Sequence, residues 1–435
     1  MWRLDTLLDL YARARDTRGA IAVVTALLFP VIAGFAGLGV DVGYWYQARR
    51  WLQTVADSAA IGGARELALN NATGIASAAR GDAVRNGYDA ANVATITVNS
   101  PPTSGPNTGN NAAVEVIIPD SLTPYFTSLF VTDPIAIQAR AVATATVEDE
   151  FCVLTLDPTA GDATGLADDS KVELSGCGVM TNSNSPTALH LMDSARLLID
   201  DGANAVVGDF VQEGGSDIDP QPQTGSIPAS DPLAGLDVPP FAGCDFTNTV
   251  LTSETTISPG VYCDGLTITN NINVDVLPGT YIIDGGDLRV EDVSKLEGNE
   301  AVFILTSSSG PADIGSLSVV EHSRIEVTAP TSGDFADILI YQDRDAPSTG
   351  VNQIAGSSSG PGPAPGVETN GFLYLPSQEL VMTEDAKLEQ DHLIGGCPKL
   401  IVSQITLSGD AKIEIECDEN AVTRDVGRRI VRLSE

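Results

Sequence analysis

The chain has 435 residues, of which 43% are hydrophobic, 5% aromatic and 19% charged. That length suits two or three domains with a sizeable core, and the apolar content excludes a disordered polymer. Its 58 acidic residues against 23 basic ones give a net charge of −35, which argues against nucleic acid as a partner, since phosphate binding needs a basic face.

The first 50 residues depart from this acidic average: they hold six arginines and four aspartates, and all three tryptophans fall within the first 51. Gly19 to Val40 is a run of 22 residues without a charge. As a helix it would measure about 33 Å, enough to cross a hydrocarbon layer of ~30 Å. Pro30 is tolerable inside a membrane helix. Arg13, Arg15 and Arg18 precede the run, which predicts a cytoplasmic N-terminus and an acidic body across the membrane. The run is longer than the core of a cleaved signal peptide and no A-x-A-like site follows, so an uncleaved anchor is expected.

Beyond Asp41 the helical apolar spacing continues through Trp45, Leu52, Val55 and Ala59 to about Leu69. Tyr44, Trp45, Tyr46 and Trp51 would form an aromatic belt at the membrane surface. Gly39 and Gly43 make a lone G-x-x-x-G, a weak helix-packing signal. A second helix is predicted over 72–91, strands over 93–98 and 113–118, a short helix over 122–130 and a strand over 135–147. Together these make a small α+β domain ending near residue 150.

Six cysteines follow: Cys152, Cys177, Cys244, Cys263, Cys397 and Cys417. Six allow 15 pairings. Taken in order they form couples separated by 25, 19 and 20 residues, so sequential disulfides are the simplest expectation. Disulfides call for an oxidising compartment such as the periplasm. No C-x2-C pair supports zinc, and no cofactor is expected.

After Cys152 short β-prone runs alternate with Gly, Asp, Ser and Asn. A repeat appears as DDSKVEL, MDSARLLI, EDVSKLEG, EHSRIEV, EDAKLEQ and GDAKIEIE, with Lys171, Arg196, Lys295, Arg324, Lys387 and Lys412 at one position. Four of the five lysines in the chain occupy it. The intervals suggest a unit near 25 residues with insertions. This predicts an all-β right-handed β-solenoid, with the D/S-x-K/R tripeptide at a corner and pairs such as Val172 and Leu174, or Ile413 and Ile415, stacked inside. A β-sandwich is the alternative. The Pro/Gly/Ser-rich stretches 214–240 and 348–366 read as exposed loops or linkers. The predicted organisation is thus a cytoplasmic N-terminus at 1–18, a membrane helix at 19–40, a helix with a small α+β domain at 41–150, a periplasmic solenoid at 151–420 and a basic tail at 421–435.

The block RGAIAVVTALLFPVIAGFAGLGVDVGYWYQARRWLQTVADSAAIGGARELA strongly resembles the TadE/TadG-like N-terminal domain of Flp (tight-adherence) pilus assembly proteins. The Arg-Gly start, the apolar run, Asp41 and ADSAAIGGARELA carry the likeness. CVLTLDP, GVYCDGLTI, LPGTYII and the repeats are similar to the extracytoplasmic region of longer TadG-like proteins. The resemblance implies a single-pass protein of the bacterial inner membrane. It would act without catalysis in pilus biogenesis, touching the bilayer through one helix and pilus or secretion proteins through its body, with self-association open. The position five residues after Gly19 is Val24, where prepilins of this system carry Glu, and no D-x-S-x-S metal motif is present. The competing reading is a membrane-tethered adhesin or glycan-binding solenoid, with polysaccharide lyase activity as its catalytic form. No nucleophile elbow, P-loop or H-E-x-x-H supports an enzyme. His190 and His322 read as satisfied residues, and DGGD at 284–287 reads first as a turn.

Overall fold

The structure, a computed structural model, describes residues 18–69, 71–129, 133–356, 364–390, 397–417 and 426–435. It divides into two compact units, one of residues 1–146 with 430–435 and one of residues 147–429.

In the first unit, helix α1 (Arg18–Ala68) is one continuous helix through Pro30. Its first half is apolar and exposed; its second half presents Leu52, Val55, Ala56, Ala59, Ala60 and Ala64 to a core. Small residues there let helix α2 (Ile75–Arg85) approach closely through Ile75, Ala79 and Ala83. The other wall of this core is an antiparallel sheet. Strand Ala113–Leu122 pairs with Thr97–Asn99 on one side and with 135–144 on the other. Val114, Val116 and Ile118 alternate inward, as one-sided sheets require.

Several local expectations need correction. Helix α2 stops at Arg85, because Gly87 takes a φ of +93° that ends it, rather than running to 91. Residues 90–95 are a 3-10 turn, not strand; the Asp89 carboxylate accepts from the Ala91 N–H at 2.9 Å and starts it. The helix expected at 122–130 is reduced to the 3-10 turn Thr127–Leu129, with residue 130 outside the described residues. The strand expected to end at 147 runs on to Thr155. In the basic tail Gly427–Leu433 is a strand, and Ser434 and Glu435 donate backbone N–H groups to the Val142 carbonyl. Residues 421–425 of that tail, and 1–17 of the N-terminus, lie outside the described residues.

The second unit is all β, and its described strand pairings are parallel, which separates it from the antiparallel sandwich weighed as the alternative. Ten strands form one ladder in the spatial order 217–219, 196–200, 171–175, 412–416, 387–390, 366–369, 324–327, 295–298, 273–276 and 255–257. Two further parallel ladders run alongside. One passes from Asn204–Val206 through Gly178–Thr181, Leu400 and Ile338–Gln342 to Ala301–Thr306. The other passes from Phe210–Gln212 through Leu189–Leu191, Thr164–Leu166 and Ile405 to Val351–Ala355. Val172, Leu174, Leu197, Ile199, Ile325, Val327, Ile413 and Ile415 all point into the core between the ladders.

Stacking order is not chain order. The late strands 400–402 and 412–416 lie directly against the early strands 153–155 and 171–175. The chain therefore builds three layers, leaves, and returns to the far end to build the rest. Nine spacings of ~4.8 Å put that far end about 43 Å away. Residues 220–245 make the journey, and 26 residues reach up to ~86 Å when extended. The stretch read as an exposed loop or linker is thus a strap laid along the unit. Ala229 and Leu233 are buried; Asn182 exchanges two hydrogen bonds with the Ala229 backbone, at 2.8 and 2.9 Å. Of the other stretch, 348–366, Val351–Ala355 is a strand and 357–363 lies outside the described residues.

Candidate functional site

The repeated basic residues each open a strand of the ten-stranded ladder and stand in one column. Lys295 lies opposite Arg324, Lys387 opposite Lys412, Lys412 opposite Lys171 and Lys171 opposite Arg196; Gly366 fills the place between Arg324 and Lys387. Like charges ~4.8 Å apart repel, so such a column needs compensation. It comes from the column two residues on, which holds Glu297, Glu326, Glu368, Glu389, Glu414 and Glu173. Alternation puts both columns on the same outer face. Lys412 reaches Glu414 at 2.6 Å and Glu173 at 3.0 Å, and Lys295 reaches Glu297 at 2.7 Å and Glu326 at 2.5 Å. Lys171 pairs with Glu173, Lys387 with Glu389 at 2.8 Å, and Arg324 with Glu326 at 3.2 Å. Arg196 has Leu198 at the carboxylate's place, and makes no ion pair among the described residues.

These pairs move the titrations. Burial opposes the charged Glu173, but hydrogen bonds from Lys171 and Lys412 outweigh it and hold the carboxyl below its usual range. The Lys412 ammonium is pushed up, first by its bond to Glu414. The face is a lattice of Lys, Arg and Glu in which every cation of the column except Arg196 is committed to a neighbouring carboxylate. That suits a register device better than a basic ladder for an acidic partner.

The disulfides join Cys152 to Cys177, Cys244 to Cys263 and Cys397 to Cys417. The first and third meet where the last layer lies on the first: Cys152 Sγ is 3.5 Å from Cys397 Sγ and 3.2 Å from Cys417 Sγ. All four sulfurs fall within 4.8 Å of one another. Oxidised, they offer no thiolate to a metal; reduced, they would be a four-sulfur set of the zinc type. The second disulfide fastens the end of the strap to strand Gly260–Ile268.

The strap is also held by groups that the sequence reading did not single out. Arg344 donates to the Leu233 carbonyl at 2.7 Å and to that of Ala234; Tyr341 donates to the Leu236 carbonyl at 2.6 Å; Tyr374 donates to Asp231 at 2.8 Å. Tyr341 and Tyr374 stack at 5.0 Å, and a second aromatic column runs Phe246, Tyr262, Tyr281, Phe303. Burial pushes the Tyr262 hydroxyl up to about 12 and lifts that of Tyr374 further, helped by Asp231.

Gly19, Pro30 and Val40 all lie in α1. Tyr46 and Trp51 are exposed on it, while Tyr44 and Trp45 are half-buried. An added Cβ at Gly39 or Gly43 would meet nothing within 4 Å, so that glycine pair is unoccupied among the described residues. Asp41 does more than end the apolar run. It is buried, and it accepts hydrogen bonds from the backbone N–H groups of Tyr125, Phe126 and Thr127 and from the Thr127 hydroxyl. His190 sits 3.0 Å from Asp162. In DGGD, read first as a turn, Asp284 ends strand Gly279–Asp284 and Gly286–Val290 is the next strand, with positive φ at Gly285 and Gly286 making the bend between them; Asp284 accepts from the Ser308 N–H and hydroxyl and Asp287 from the Ser316 N–H, more than twenty residues on.

Residues 19–66 match the family model Tad, described as "Putative Flp pilus-assembly TadE/G-like". The chain carries a TadE/G-like segment. The match covers α1 almost end to end and stops before α2. Neither the curated proteins nor the solved structures contain a match to this chain.

Proposed function

We propose that this protein is a non-catalytic, membrane-anchored component of Flp pilus assembly in the bacterial inner membrane. The observation that carries this reading is the TadE/G-like match over a helix whose apolar first half is exposed at nearly every described residue. In this reading α1 spans the bilayer once, with its arginine-rich start in the cytoplasm. The second unit is then a periplasmic β-solenoid, each layer contributing one strand to each of three ladders, with handedness right as for parallel crossovers generally. Disulfides, acidic charge and an ion-paired lattice support a durable scaffold in an oxidising compartment. Its partners are pilus or secretion proteins, and self-association is compatible with it.

The test is a cross-linked pull-down of the full-length protein from native membranes. Enrichment of pilus platform, pilin or secretin components over an unrelated membrane protein of equal abundance is expected. If folded bait captures none of them, the assembly role is wrong.

A further inference from the structure

We propose that the loop 123–129 is a second membrane-contact element, which places Tyr125 and Phe126 in the headgroup–acyl boundary of a lipid bilayer beside α1. This rests on the reading of α1 as a membrane anchor. The loop is bolted to the helix at the first residue past the charge-free run. Asp41 Oδ1 accepts from the Tyr125 N–H at 3.0 Å, and Oδ2 accepts from the N–H groups of Phe126 at 3.0 Å and Thr127 at 2.6 Å and from the Thr127 hydroxyl. With both oxygens supplied with donors, the carboxylate can sit at a depth where a bare charge would be costly.

The loop then reaches back along the apolar run. A Cβ added at Gly37 would come within 2.9 Å of the Phe126 Cβ and Cγ, so only glycine leaves room for this side chain one turn inside the run. Tyr125 packs edge-on against Tyr44 at 5.1 Å. Despite these contacts Tyr125 stays 64% exposed and Phe126 50% exposed. Phe126 therefore meets the apolar run at Gly37, and at that level of α1 the run is itself exposed, Phe35 by 72%, Leu38 by 43% and Val40 by 53%. The loop's two rings thus lie at the depth of the run's last turn. Residues 122–129 read LTPYFTSL, without a charge. A loop clamped to a bilayer-spanning helix, uncharged and bearing two aromatic rings, fits lipid at the interface, where such rings collect.

The experiment uses the full-length protein in vesicles of phosphatidylethanolamine and phosphatidylglycerol. A photoreactive benzoyl-phenylalanine replaces one residue at a time: Phe126, Tyr125, Phe29 in mid-run, and Thr108 in an exposed turn. After irradiation, lipid adducts are counted by intact mass. Adduct yields at Phe126 and Tyr125 at least fivefold above Thr108, alongside a high yield at Phe29, are expected. A high yield at Phe29 with both loop sites at the Thr108 level overturns the proposal and leaves the anchor standing. A Phe29 yield at the Thr108 level overturns the anchor reading itself. Asp41→Asn with the probe at Tyr125 should lower the adduct at least threefold, and an unchanged yield would show that the clamp does not hold the loop at the bilayer.

Discussion

Glu115 shows how much one side chain organises in the first unit. It is fully buried and receives Asn99 at 2.8 Å, the Thr103 N–H at 3.1 Å and hydroxyl at 2.9 Å, the Ser104 hydroxyl, and Arg140 Nε at 2.7 Å. Arg140 also pairs with Glu435, drawing the C-terminal residue to the same point. Burial alone would raise the Glu115 carboxyl; the bonds from Ser104, Asn99 and Arg140 outweigh it and hold it far below its ordinary 4.5. The fold thus favours the carboxylate. Its contribution is whole above about pH 4.5 and drains away as the pH falls towards the lowered value. Thermal melts of the first unit's signal should lose stability through that acid range, and Glu115→Gln should flatten the dependence while costing about 2 kcal/mol at pH 7. An unchanged acid slope in the variant would contradict this.

The same scale shows what could be read beforehand. The Lys/Arg position stood out because stacking puts one residue of every layer in the same column, so its chemistry repeats along the chain. Asp41 could be read only as the end of an apolar run. Three of its four donors are backbone N–H groups 84 to 86 residues away, which leave no trace in side-chain identity, and the fourth is the Thr127 hydroxyl.

At the scale of the element, the strap and the charged lattice behave oppositely. The lattice is many weak pairs. Exposed ion pairs each contribute ~0.2–1 kcal/mol, so Lys412→Glu, which sets three carboxylates together, should cost about 1–2 kcal/mol, less at high salt. If the pull-down pattern of that variant is unchanged, the lattice serves register alone; lost capture would show a partner contact there. The strap is a few specific anchors. Tyr374→Phe removes the bond to Asp231 and should cost ~1 kcal/mol, and adding Arg344→Ala should make 220–245 the first site of limited proteolysis. Persistent protection of the strap would contradict this. Its packing was not legible in Pro, Gly and Ser content, because that composition reports backbone freedom and not what Ala229 and Leu233 cover. Layer order was equally hidden. Strands of the K-x-E type are interchangeable neighbours, and only a strap of suitable length and the facing disulfides select one stack.

For the whole molecule, the join between last and first layers is the place to look for cooperativity. Two disulfides meet there, and each closes a loop whose cross-link stabilises by roughly 3 kcal/mol in the chain-entropy model. Cys397→Ser with Cys417→Ser should lower the melting temperature of the second unit more than Cys244→Ser with Cys263→Ser, which touches only the strap's end. Equal shifts would mean the join is no special point. The TadE/G-like likeness was legible along α1, where a long apolar run constrains composition over many residues.

The out-of-order stack has a consequence in time. Strands 153–155 and 171–175 are made early, yet the strands that cover them, 400–402 and 412–416, come more than 200 residues later. At ~5–20 residues per second, a growing chain shows bare parallel edges for roughly 10–50 s. Open edges invite pairing with any passing strand. Newborn copies of this protein would therefore be open to one another, or to a chaperone that shields edges, for far longer than a stack of strands laid down in chain order would be.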